Sequence, residues 1–152
     1  MASSSLYKVG LITGCFDVIH IGHIKLFQYA KKYVDYLVVG LEADVTIQKT
    51  KKGIRPVNKL TYRRDVLKSI KYIDKVILLE NPYNFTEQQS EEYYLALYKR
   101  VKPTHLISSS LHDKYFNNKV ERANKFGIKI IDFKKDYKTS STDIINKILS
   151  QR

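Results

Sequence analysis

The sequence has little of what staples or anchors a chain. Its single cysteine, Cys15, excludes an intramolecular disulfide. That agrees with a reducing cytosol, so the expected location is cytoplasmic. Long apolar runs are missing. Val76-Ile77-Leu78-Leu79 is typical of those present, and none approaches the roughly 20 residues that a membrane helix needs. No membrane partner is expected. Met1-Ala2-Ser3-Ser4-Ser5 lacks the basic segment and apolar stretch of a secretory leader and reads as a disordered tail, residues 1–5. There is no tryptophan, no internal repeat and no low-complexity segment. No composition shift marks a boundary, so residues 6–152 are expected to form one domain.

At 152 residues the chain is long enough to bury a real core, and 43% hydrophobic with 28% charged residues is a soluble, globular composition. Lysine and arginine total 27 against 15 acidic residues, a formal charge of +12. Such a surface attracts polyanions, either nucleic acid or the phosphates of nucleotides. The lysines are scattered rather than gathered in one block, which argues against nucleic acid.

Apolar runs and helical spacing alternate. Tyr7 to Thr13 reads as a buried strand. Ile24, Phe27, Ala30 and Val34 recur at helical spacing. Tyr36 to Leu41 is a second strand, Lys49 to Lys59 a basic loop, and Val66, Leu67, Ile70 and Ile73 mark a second helix. Val76 to Leu79 is a third strand. Thr86 and Gln89 have capping-box spacing at the start of a helix that Pro103 stops. His105 to Ser108 and Ile128 to Phe133 are further strands, with a helix between Asp113 and Phe126. Ser140 and Asp143 repeat the capping pattern before a last helix that should bury Ile144, Ile145, Ile148 and Leu149. The fold class that follows is α/β: a single Rossmann-like, doubly wound, parallel five-stranded sheet with helices on both faces. Ligands of such sheets sit beyond the carboxyl ends of the strands, where strand order reverses.

The first strand runs into Thr13-Gly14-Cys15-Phe16-Asp17, then His20-Ile21-Gly22-His23. Histidines three residues apart at a helix start share one face of its first turn. The free N–H groups and dipole of that turn favour an anion, and Gly22 is expected to let a ligand approach the backbone. These features together suggest a cradle for a triphosphate. A pair of histidines merely capping a helix, or a zinc site lacking nearby Cys or carboxylate ligands, accounts for the pattern less well.

These residues resemble the signature of the cytidylyltransferase-like nucleotidyltransferases. Arg55-Pro56-Val57-Asn58, then Arg63, is similar to the middle of the heptose-1-phosphate adenylyltransferase domain. Thr139-Ser140-Ser141-Thr142-Asp143-Ile144 looks like the family's C-terminal serine/threonine motif. The resemblance implies transfer of a nucleoside monophosphate from a triphosphate to a phosphorylated small molecule, with Mg2+ bridging the triphosphate. His20 and His23 would stabilise charge at the α-phosphate. Thr13, Gly14, Cys15, Phe16, Asp17 and Gly22 would line the nucleotide, and Ser140, Ser141 and Thr142 would add donors for the outer phosphates. Lys49 would act in catalysis, Lys51 and Lys52 would hold the acceptor, and Arg63 would grip pyrophosphate or acceptor. Cys15 is read as a small buried residue and not a nucleophile.

Three features favour ATP and a sugar or polyol phosphate: Cys15, the Arg55-to-Asn58 match, and Lys135 or Lys138 standing where the cytidylyl branch tends to have arginine. The lysine-rich Gln48-to-Lys52 stretch, similar to glycerol-3-phosphate cytidylyltransferase, points to CTP instead. The chain departs from the family after the fourth strand, where Ser108-Ser109-Ser110-Leu111-His112-Asp113 replaces the usual Gly-Asp pair. Acceptor choice is expected to lie in Lys49–Lys59 and Asn81–Phe85. Small members of the family are usually dimers, so the resemblance implies a homodimer. Two rival readings remain. The His20-to-His23 motif also fits class I aminoacyl-tRNA synthetases, for which the chain has no room for tRNA-reading domains. A non-catalytic nucleotide- or RNA-binding module on the same fold would be the other.

Overall fold

The computed structural model describes residues 6–54, 56–80 and 86–152. Arg55, the segment 81–85 and the tail 1–5 lie outside the described residues, and with them part of the Arg55-to-Asn58 motif and of the expected acceptor loops. Strands and helices alternate as β1 (Val9–Gly14), α1 (Ile21–Ala30), β2 (Tyr36–Glu42), α2 (Asp44–Thr50), α3 (Leu60–Lys68), β3 (Lys75–Leu79), α4 (Glu87–Val101), β4 (His105–Ser108), α5 (Phe116–Lys125), β5 (Lys129–Asp132) and α6 (Ser141–Leu149). Every strand pairing is parallel, in the order β3-β2-β1-β4-β5. The doubly wound sheet expected from the alternation is therefore present. Its order reverses between β1 and β4, which opens a crevice beyond their carboxyl ends. Among the described residues, no helix is long and apolar enough to cross a membrane.

Successive strand residues feed opposite faces of the sheet. Ile12, Leu37, Val39 and Leu41 pack with Phe27 and Ala30 of α1 and Leu67 of α3. Leu11, Val38 and Leu106 pack with Leu97 and Tyr98 of α4 and Ala123 of α5. Among the described tyrosines only Tyr98 is fully buried, while Tyr29, Tyr36, Tyr72, Tyr93 and Tyr94 are partly buried against the two core clusters.

Local signals set some boundaries well. Thr86 and Gln89 form a full capping box at α4, and β4 spans the residues expected. Other boundaries moved. α2 was not anticipated, because its N-cap, Ala43, has no side chain that can bond the first turn. α3 begins at Leu60 and ends at Lys68, so Ile70 and Ile73 reach the core from the turn that follows. α6 corrects a larger expectation. Ile144 and Ile145 are half-buried, but Ile148 and Leu149 are exposed. The apolar stripe was read correctly from its spacing, but its second turn finds nothing to cover it within the described residues.

Arg63 was expected to reach the substrate. It is instead 1% exposed, the largest fully buried side chain, and lies off the wall of the crevice. Its Nη1 donates to Cys15 O at 2.6 Å, Nη2 to Glu42 O at 2.9 Å and to Asp44 Oδ1 at 2.6 Å, and Nε to Asn58 O at 3.0 Å. One planar fork thus ties together the loop after β1, the end of β2, α2 and the loop before α3. Asp17 reinforces the tie. Its carboxylate accepts from Val57 N at 2.7 Å and Asn58 N at 2.8 Å, and Asn58 Nδ2 returns a bond to Asp17 O.

Arg63→Ala should therefore act on stability first. It strands three carbonyls and a carboxylate, a loss of about 3–5 kcal/mol. Arg63→Lys should recover little of it, because an ammonium cannot span the fork. Chemical denaturation of the three proteins checks this. Wild-type stability with lost catalysis would return Arg63 to the substrate.

Candidate active site

A cavity of about 990 Å³ opens at the carboxyl ends of β1 and β4. Thr13, Gly14, Cys15, Phe16, Asp17, His20, Gly22 and His23 line it from the β1–α1 connection. Lys49 and Lys51 line it from α2 and the turn after it, and Ser140, Ser141 and Thr142 from the start of α6. Segments far apart in sequence thus meet on one wall. Lys52 does not; it sits outside the cavity in a left-handed turn, φ 53°.

The histidine pair has a specific construction. His20 is the N-cap of α1, and its Nδ1 accepts from Gly22 N at 3.1 Å. This bond requires Nδ1 without a proton, so the ring carries its hydrogen on Nε2 as the donor left for a ligand. A Cβ on residue 22 would stand 2.9 Å from His20 Cε1. Gly22 therefore leaves room for the imidazole folded over it, and it also lines the cavity. The two imidazole centroids are 3.9 Å apart. The Phe16 ring meets His23 edge-on at 5.3 Å. Phe16 takes a left-handed φ of 45° to do so, and Gly14 leaves room for its ring, which a Cβ would approach to 3.1 Å.

Burial pushes the His23 imidazole down to about 3, and neighbouring His20 adds to the effect. Burial also lowers His20; Asp143 partly opposes that and His112 assists it. Both rings are accordingly neutral at physiological pH. They serve as oriented donors in a partly dry site, not as cations. Buried side-chain polar atoms without a partner among the described residues are His23 Nδ1, Thr46 Oγ1 and Ser109 Oγ, and all three belong to residues of this cavity wall. Such atoms cost stability in an empty protein, and their concentration here marks a site built for a guest.

The serine/threonine motif is partly committed. Ser140 Oγ accepts from Asp143 N at 3.0 Å and lies 2.6 Å from Asp143 Oδ2, while Ser141 Oγ donates to Val18 O at 2.8 Å. These serines cap α6 and fasten it beside the histidine loop, so α6 presents mainly Thr142 and backbone N–H groups. The Cys15 thiol donates to Glu42 Oε2 at 3.3 Å, and its pKa is pushed up to about 12, first by burial and then by Glu42. A thiol held protonated in this way fits its reading as a residue that is not a nucleophile.

Several wall residues carried no recognisable sequence signal. Lys119 and Arg122, one turn apart on α5, are 9% and 8% exposed. Lys119 Nζ donates to Asp113 Oδ2 at 2.6 Å and to Thr13 O at 3.3 Å, and Ser108 Oγ donates to the same Asp113 oxygen at 2.6 Å. Burial would raise the Asp113 carboxyl, but the Lys119 charge and the bonds from Lys119, Ser108 and Tyr115 N–H outweigh it and hold it below the usual range. Arg122 pairs with Glu91 and lies 4.5 Å over the Tyr94 ring. Thus the segment lacking Gly-Asp after β4 still brings a fixed carboxylate, Asp113, to the cavity. Only the i, i+3 spacing of Lys119 and Arg122 on an amphipathic helix hinted at them.

The chain is a parallel α/β protein with an imidazole pair at the start of the helix after β1. The cytidylyltransferase-like family model matches residues 11–147, and the chain belongs to that family. It is 38% identical over 136 residues to the bifunctional protein HldE of Campylobacter fetus subsp. fetus, covering 89% of this chain and 26% of that one. It is 30% identical over 145 residues to HldE of Campylobacter jejuni subsp. doylei, covering 95% and 28%. The chain thus spans about a quarter of the length of these relatives. The lipopolysaccharide core biosynthesis protein of Thermoplasma volcanium superposes with a TM-score of 0.65 at 26% identity, covering 85% of this chain and 98% of that one. Pantothenate synthetase of Thermus thermophilus, at 13% identity and a TM-score of 0.59, shares the fold alone.

The neutral histidines fix the direction of an acid effect. Unfolded His23 takes a proton near 6.5, whereas the folded residue does so only near 3. The stabilisation from keeping it neutral is fully present above pH 6.5 and drains away as pH falls toward 3. Urea midpoints should drop over that window in the wild type, and less steeply in His23→Asn. Parallel slopes would mean that the residue is not held neutral by burial.

Proposed function

We propose that the chain is a nucleotidyltransferase that moves AMP from ATP to a sugar or polyol phosphate and releases pyrophosphate. The observation that carries the reading is the His20–His23 pair, held neutral and oriented at the N-terminus of α1, at the strand-order reversal, in a cavity also lined by Lys49, Lys51 and Lys119. In this reading an acceptor phosphate oxygen attacks the α-phosphorus, a bond forms there, and the α–β bridging oxygen leaves with pyrophosphate. The acceptor is already an anion and needs no general base. The barrier lies in bringing anions together and in the charge growing on the α-phosphoryl oxygens. His20 Nε2–H and the His23 ring would meet that charge, and Lys49 and Lys51 would offset repulsion from the acceptor.

Among the described residues there is no cluster of three or more His, Cys, Asp or Glu able to cage a metal. The cavity carboxylates Asp17 and Asp113 are occupied by donors from the protein. Magnesium in this proposal would arrive with the triphosphate and would supply charge neutralisation there. The lipopolysaccharide core biosynthesis named for the Thermoplasma neighbour supports a sugar-derived acceptor. The single cysteine and a soluble triphosphate substrate support a cytoplasmic setting. Exposed Tyr33, Tyr62 and Tyr115 offer aromatic surface for a homodimer, which light scattering at micromolar concentration checks; a monomer there would remove it.

Pyrophosphate release, read for four triphosphates against a panel of phosphorylated acceptors, tests the reaction. ATP should be used and CTP rejected sharply, because a pocket that hydrogen-bonds one base leaves buried groups unpaired with the other. Turnover with CTP alone would keep the reaction and replace the nucleotide. His20→Ala and His23→Ala should each lower turnover about 100-fold, the scale of one lost transition-state donor. Activity within about threefold of wild type in both would remove the histidines from catalysis.

A further inference from the structure

A carboxylate stands where only phosphates have so far been invoked. Glu42 ends β2 on the cavity wall, immediately before α2 brings Lys49 to the same wall. Its Oε2 accepts from the Cys15 thiol at 3.3 Å and its Oε1 from the Tyr94 hydroxyl at 3.3 Å. Burial, then Glu42 itself, pushes the thiol up to about 12 and the Tyr94 phenol higher than its ordinary value. Both are neutral donors; a thiol is a weak one, and the phenol's bond is long. Two weak neutral donors orient a carboxylate without using up its lone pairs. A carboxylate so placed repels phosphate, and its partial burial is costly. Neither donor requires it, since a thiol and a phenol are satisfied equally by an amide or a carbonyl. What a negative, oriented acceptor does recognise is a set of hydroxyl donors.

We propose that Glu42 selects the acceptor, taking hydroxyl groups of a polyhydroxylated sugar phosphate while Lys49 and Lys51 take its phosphate. This rests on the transferase reading above and deepens it to an acceptor class: aldose phosphates over short polyol phosphates. From Glu42 to Lys49 the chain covers one short helix, α2, which at about 1.5 Å per residue advances about 10 Å, enough for a sugar ring and its phosphate to lie alongside. Cys15 and Tyr94 are positioning residues, because they hold the carboxylate and do not touch the sugar.

Glu42→Gln keeps the shape and removes the charge, and the backbone carbonyl that Arg63 uses is untouched. Half-saturation for hexose and heptose 1-phosphates should rise about tenfold, the size of one hydrogen bond to a charged group. That for the triphosphate should stay within about twofold, and glycerol 3-phosphate should be a poor acceptor for both proteins. Tyr94→Phe keeps the ring over Arg122 and should raise only the acceptor value, by about threefold. Calorimetric titration of the same aldose 1-phosphates without nucleotide should show the same loss in Glu42→Gln. If no triphosphate yields pyrophosphate, the transferase reading fails, and this titration still decides the role of Glu42. Unchanged or tighter sugar-phosphate binding in Glu42→Gln overturns the proposal. So does an equal effect on the triphosphate, and so does a wild type that binds glycerol 3-phosphate but none of the aldose phosphates.

Discussion

The site depends on one buried guanidinium. The four segments that Arg63 holds are two loops, a strand end and the first residue of a short helix, and one guanidinium joins them. A long cation placed among their carbonyls converts them into a rigid rim. Two of the held carbonyls belong to Cys15 and Glu42, whose side chains face the cavity. A residue with no contact to the guest therefore sets where contacting residues stand, and it does so through backbone carbonyls.

A second constraint is dielectric. The imidazoles are packed against each other and against Phe16, and burial strips them of charge. A neutral ring is a weaker donor than an imidazolium in water. In a partly dry cleft, however, its orientation is fixed before charge develops, so little reorganisation is required during the reaction. Gly22 makes this possible by leaving space for His20 to fold back onto the helix it caps. The His-x-Gly-His spacing is thus a piece of local geometry as much as a chemical signature.

Charge on the wall is arranged in fixed pairs. Lys119 with Asp113 and Arg122 with Glu91 put cations at the cavity with their partners attached. Such pairs keep the empty site from carrying an uncompensated buried charge, while still offering positive edges to a polyanion. Glu42, like Asp17, departs from this pattern and accepts from neutral groups.

The sequence by itself determined the alternation of strands and helices, and with it the parallel sheet and the crevice. Hydrophobic period and capping residues are local, and local forces set them. It also determined the histidine motif, because three-residue spacing at a helix start is a local fact as well. The roles of Arg63 and Ser141 could not be read there. An arginine after a basic loop looks the same in sequence whether it turns to solvent or into four loops, and a motif serine looks the same whether its hydroxyl is free or capping. Lys119, Arg122, Asp113 and Glu42 come from three separate stretches of chain, and only the strand order places them on one wall. The fate of α6 was likewise a tertiary matter: the apolar stripe was legible, but what covers it depends on what the fold sets beside it. Burial, pairing and the resulting pKa shifts are properties of neighbourhoods, and neighbourhoods between distant segments exist only once the sheet has closed.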